Sequence, residues 1–81
     1  MYKVTVKIDG MACGMCEAHM NDAIRKICPD AKKVSSSHKK GETTFLSEAE
    51  VDEEKIREAV TETGYTFEGL TQEPHKKGLF H

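Results

Sequence analysis

The sequence predicts an α+β sandwich in which a four-stranded antiparallel sheet carries two helices on one face. Three observations predict it. "YKVTVKI" alternates apolar and polar residues, two later stretches repeat apolar residues at helical spacing, and the patterned segments follow one another as βαββαβ. A chain of 81 residues builds one modest core, so all six elements belong to a single domain.

The first strand puts Tyr2, Val4, Val6 and Ile8 on one face and Lys3, Thr5 and Lys7 on the other, the period of a half-buried strand. "DGMACGM" is a loop of Gly and small residues. From about Gly14 the period changes, and Ala18, Met20, Ala23, Ile24 and Ile27 share one helical face until Pro29 stops the helix near Ile27 or Cys28. "DAKKVSSSH" and "ETTFLSE" form two short strands around a turn at Lys40-Gly41, the first weakened by Ser35, Ser36 and Ser37. The second helix starts near Val51-Asp52, with Asp52 capping it and Glu53 and Glu54 in its positively polarised first turn. Ile56, Ala59 and Val60 supply its apolar face, and Gly64 ends it in the left-handed conformation. "YTFEGLT" is the last strand, with Tyr65, Phe67 and Leu70 turned inward. The domain is expected over residues 1–72, and "EPHKKGLFH" over 73–81 as a loosely ordered tail. This element order is the split-βαβ, ferredoxin-like arrangement, which sets the loop after strand one beside the loop carrying Gly64 and Tyr65.

Composition removes several function classes. Hydrophobic residues make up 37% and charged residues 32%, the balance of a globular domain and not of a disordered tail. No apolar segment is long enough to span a bilayer and no basic-then-apolar leader opens the chain, so a cytoplasmic protein without direct membrane binding is expected. Charges of both signs are mixed to a net −2, which argues against nucleic acid as a partner. Three cysteines in a reducing compartment point to metal or redox chemistry, because an odd number cannot pair fully.

Cys13 and Cys16, two residues apart, can turn both sulfurs to one point, and Cys16 falls in or near the first helical turn, where unpaired backbone amides favour the thiolate. A bare dithiolate suits Cu(I), which accepts low coordination by sulfur, better than Zn(II), which takes four ligands. His19 completes a C-x-x-C-x-x-H spacing and is the candidate extra ligand for a harder ion, beside its reading as a solvated helix residue. Met11 reads as packing beneath the loop, with thioether donation as the other reading, and Met15 as exposed. Cys28, twelve positions after Cys16, lies about 18 Å further along the helix and packs at its end. His38, His75 and His81 have no ligating spacing, and Lys39, Lys40, Lys76 and Lys77 read as solvated turn and tail.

"GMACGMC", set after an alternating strand and before a helix, resembles the G-M-x-C-x-x-C motif of the heavy-metal-associated domain family, the fold of bacterial copper chaperones and of the N-terminal domains of copper-transporting P-type ATPases. The resemblance runs from about Tyr2 to Thr71 and includes "HKKGE", "VDEEKIREAV" and "ETGY". It implies Cys13 and Cys16 as metal ligands, Met11 tucked beneath the loop, and Tyr65 as the ring that approaches the site. Tyr at that position is similar to the bacterial chaperones, where eukaryotic members often have Lys. Three features depart from the family pattern, one of them that "FLSEAEV" lacks the family's usual Asp-Pro step. Glu17 follows the second cysteine, where a carboxylate opposes thiolate formation unless it turns to solvent or stabilises the helix start, and the serines of strand two replace β-branched residues.

These readings together give the expectation of a non-enzymatic Cu(I) chaperone that hands its metal to the soluble domain of a P-type ATPase. It would be a monomer without metal, with a metal-bridged dimer as the alternative. One rival is a carrier or sensor for Zn(II), Hg(II) or Cd(II). Another is a thiol–disulfide oxidoreductase on the same cysteines, disfavoured because the chain has neither a thioredoxin-like build nor the aromatic and Pro context of that chemistry.

Overall fold

A computed structural model of the chain describes residues 1–11 and 14–74 as β1 (Tyr2–Asp9), α1 (Gly14–Ile27), β2 (Lys32–Ser37), β3 (Glu42–Ser47), α2 (Glu53–Glu62) and β4 (Thr66–Pro74). The four strands form one antiparallel sheet in the order β2-β3-β1-β4. The expected α+β architecture is therefore the observed one. Val4, Val6 and Ile8 of β1 and Phe45 of β3 face Met20 and Ile24 of α1 and Ile56 and Val60 of α2 in a single buried cluster. The alternation of β1 dictates this, since its apolar set occupies every second position and only one face of a strand can turn inward.

The two edge strands hold the departures from regularity. In β4 the register shifts by one residue, so that Gly69 pairs with Lys7 but Phe67 with Ile8, leaving Glu68 as the extra residue of a bulge. The bulge lets Phe67 and Leu70, three apart, both pack against the core, which a regular strand of period two would forbid. In β2 the register breaks between Lys32 and Ser35, where Lys33 adopts φ +54°. Bulged, charged edges resist pairing with other chains.

β4 also runs past the boundary expected at residue 72. Glu73 pairs with Lys3 and Pro74 with Tyr2, because β1 begins at Tyr2 and offers partners that far. Proline is tolerated there, at the end of an edge strand with no further ladder to supply. The remainder of the expected tail, residues 75–81, lies outside the described residues.

α2 starts as its sequence dictates. Asp52 is extended, with φ −83° and ψ 115°, and its carboxylate accepts the Glu54 N–H at 2.9 Å. At the other end Thr63 N–H returns to the Ala59 carbonyl and Gly64 takes φ +96°. Replacing Asp52 by Ala leaves a first-turn N–H without its acceptor and is expected to lower stability by about 1 kcal/mol, whereas Asp52→Asn recovers most of it. Urea unfolding monitored by circular dichroism measures both. No helix among the described residues is long and apolar enough to cross a membrane.

Candidate metal centre

The loop between β1 and α1 is held at both ends. Gly10 leaves β1 at φ +107°, and a Cβ placed there would lie 3.4 Å from Tyr65 Cδ1 and 3.7 Å from Tyr65 Cα. Glycine is needed for the dihedral, and its lack of a side chain lets Tyr65 close onto the stem of the loop. Met11 follows, 7% exposed and part of the core cluster, so its thioether carbon chain anchors the loop from below. Ala12 and Cys13 lie outside the described residues. The chain continues at Gly14, the first residue of α1. Met15 is 72% exposed, and Cys16 is half-buried with its side chain packed against the core cluster.

Cys16 occupies the first turn of α1, where backbone N–H groups lack intrahelical acceptors and the helix carries partial positive charge. Both effects favour a thiolate. Tyr65 and Met11 thus lie at the base of the loop that leads to Cys13 and Cys16, whereas His19 does not join them. It is exposed and lines a cleft between the helices with Asp22 and Lys26 of α1 and with Glu62 of α2. Among the described residues no group of three or more His, Cys, Asp and Glu side chains converges on a point where a metal could be held. Cys28 stands at the far end of α1, its N–H donating to the Ile24 carbonyl at 2.8 Å. Burial pushes its thiol pKa up, against the opposing effect of the Lys55 charge.

The carboxylate beside Cys16 has a partner that sequence reasoning missed. Glu17 Oε2 accepts the backbone N–H of His38 at 2.8 Å and lies 2.6 Å from His38 Nδ1. The backbone bond first, and the imidazole second, hold the Glu17 carboxyl below the usual glutamate range. Glu17 therefore turns neither to open solvent nor to the amides of its own helix. One turn on, Ser36 Oγ donates to Asn21 Oδ1 at 2.6 Å and stands 2.7 Å from Thr43 Oγ1. A serine has one proton, so the fully buried Thr43 must donate to Ser36, which satisfies it. The serine-rich strand is thus one side of a polar seam. Glu17 and Asn21, four apart on α1, meet His38 and Ser36, two apart on the chain through β2. The signal was a helical polar pair matched by an alternating one, and it carries meaning only once α1 is known to lie over β2.

Comparison with known proteins bears on the family and the fold. The profile of the heavy-metal-associated domain matches residues 5–66. A mercuric reductase of Lysinibacillus sphaericus is 37% identical over 65 residues, which cover 80% of this chain but only 12% of the reductase. Among solved structures, a copper-binding domain from HMA7, a P-type ATPase, superposes with a TM-score of 0.74 at 25% identity, covering 91% of this chain and 100% of that one. The CopZ metallochaperone superposes with a TM-score of 0.68 at 17% identity, over 80% of this chain and 97% of its own, a likeness of fold.

Proposed function

Because the chain belongs to the heavy-metal-associated domain family, we propose that it carries one Cu(I) ion between the thiolates of Cys13 and Cys16 and passes it to the metal-binding domain of a P-type ATPase. The observation that carries this reading is the position of Cys16, half-buried in the first turn of α1 and three residues after Cys13. Two thiolates and one Cu(I) sum to a single negative charge, which the positive end of α1 offsets. The buried Met11 ties the start of the loop to the core. Transfer then proceeds by ligand exchange. A partner thiolate attacks the metal, a three-coordinate bridged state forms, and one of the original thiolates leaves, with no bond of a substrate broken and no electron moved.

Hg(II), equally soft, is the second reading, and the 37% identity to a mercuric reductase favours it. Anaerobic titration of the reduced protein against a chelator tests the first reading, with coordination read by X-ray absorption. One Cu(I) with two short sulfur contacts and a weak Zn(II) site is the expected result. A tight Zn(II) site with a nitrogen or oxygen shell would bring His19 forward and overturn it. Mixing the Cu(I)-loaded protein with an ATPase copper-binding domain separates the two soft ions. Prompt exchange supports the copper carrier, and Cu(I) retained beside prompt Hg(II) handover supports the mercury one.

A further inference from the structure

The pole of the sandwich opposite the metal loop holds a cleft of about 350 Å³, where the end of α1, the end of β3 and the start of α2 converge. Its floor is apolar. Ile27, Cys28 and Val51 line it half-buried, each also packed against the core cluster. Its rim is acidic. Asp30, Glu48 and Glu50 are exposed there, and no ion pair among the described residues engages any of them. Lys55 is the one cation in the lining, and Asp52 is committed to the α2 cap. An apolar floor under unneutralised carboxylates suits a segment of the opposite pattern, cations beside large apolar side chains.

The chain delivers such a segment to this pole. β4 ends at Pro74, which pairs with Tyr2, and Tyr2 pairs on its other side with Ser47 in the cleft lining. Pro74 is therefore two strand spacings, about 10 Å, from the cleft. The wall between them is fixed, because Gln72 Oε1 accepts the Val51 N–H at 2.7 Å and Gln72 Nε2 donates to the Val51 carbonyl at 3.2 Å. From Pro74 the sequence continues "HKKGLFH". At roughly 3.3 Å per extended residue, Lys76 and Lys77 reach about 7–10 Å from Pro74, and Leu79 and Phe80 about 16–20 Å. The cations thus span the distance to the near rim, and the apolar pair reaches beyond it. We propose that residues 75–81 dock in this cleft within the same molecule, Leu79 and Phe80 on the apolar floor and Lys76 and Lys77 against Glu48, Glu50 and Asp30. The docked segment covers the Cys28 thiol. This surface lies at the pole away from the metal loop, so it stands or falls separately from the metal-binding reading.

Cys28 reports on the cleft. The test is the rate at which iodoacetamide alkylates it in the reduced, metal-free, full-length chain, read at Cys28 alone by peptide mass. Replacing Leu79 and Phe80 by serine should speed the reaction roughly fourfold or more, the change from a cleft covered about three-quarters of the time to an open one. Lys76→Glu with Lys77→Glu should do the same, and adding Glu48→Lys with Glu50→Lys should bring protection back. Simple electrostatics on the thiol predicts the reverse at both steps, because removing nearby cations disfavours the thiolate and restoring them favours it. A rate unchanged in the folded Leu79→Ser, Phe80→Ser chain would overturn the proposal. So would a raised rate in the lysine variant that the exchange of charges leaves raised, since the carboxylates would then not be the partners. Protection that grows with protein concentration would overturn it too, because the occupant would be a second copy.

Discussion

Replacing Cys16 by serine is expected to weaken Cu(I) binding by roughly a hundredfold or more, since losing an outer partner of a metal ligand already costs about ten- to a hundredfold. The serine hydroxyl stays protonated at neutral pH and is a hard donor, so one thiolate remains where two held the ion. The apo protein should keep its fold. Cys16 is half-buried, and exchanging sulfur for oxygen there leaves the cluster of Met20 and Ile24 on the same helix in place. Chelator competition measures the loss, and circular dichroism the fold. The Cys13→Ser, Cys16→Ser pair should abolish high-affinity binding, and its retention would move the site away from this loop. Cys28→Ser is the matched control. Its thiol is raised in pKa and lies at the other end of α1, so Cu(I) affinity should not change.

How far the fold could be read from the residues depended on whether a local period decided the outcome. The alternation of β1, the helical spacing that ends at Ile27 before Pro29, and the Asp52 cap are local, and each element appears where they put it. The reach of β4 is not local. Nothing within "TQEP" distinguishes strand from tail, and the pairing of Pro74 with Tyr2 decides it. The bulge at Glu68 likewise answers a demand from β1, because Val6 and Ile8 each require an apolar partner and Leu70 and Phe67 are three apart. At the candidate site, the spacing of Cys13 and Cys16 is visible in seven residues. The approach of Tyr65 depends on topology, and becomes legible through Gly10, whose missing side chain makes room for the ring. The Glu17–His38 contact was illegible for the same reason as β4. It joins residues 21 apart, and only the packing of α1 on the sheet brings them together.

Truncating Phe45 to Ala should produce the largest loss of stability in the domain. Phe45 is 1% exposed, lies on an interior strand opposite Val4, and is the largest of the fully buried side chains. Such truncations cost about 3–5 kcal/mol through lost burial and the cavity left behind. An 81-residue domain has roughly 4–12 kcal/mol in total, at about 0.05–0.15 kcal/mol per residue, so the truncation removes from about a quarter to all of it and the midpoint falls steeply. Met11 belongs to the same cluster, so unfolding the core also frees the loop that bears the candidate ligands. Metal should therefore rescue the fold. An ion that binds only the folded chain adds about 4 kcal/mol at a thousandfold excess over its dissociation constant, enough to offset most of the truncation. Thermal unfolding of Phe45→Ala with and without Cu(I) measures this, and the rescue should vanish when Cys16→Ser is added. If Cu(I) leaves the midpoint of Phe45→Ala unmoved, the two thiols bind equally well in the unfolded chain. Affinity would then belong to the C-x-x-C segment itself, and what the sandwich supplies would be the surface on which the ion is handed over.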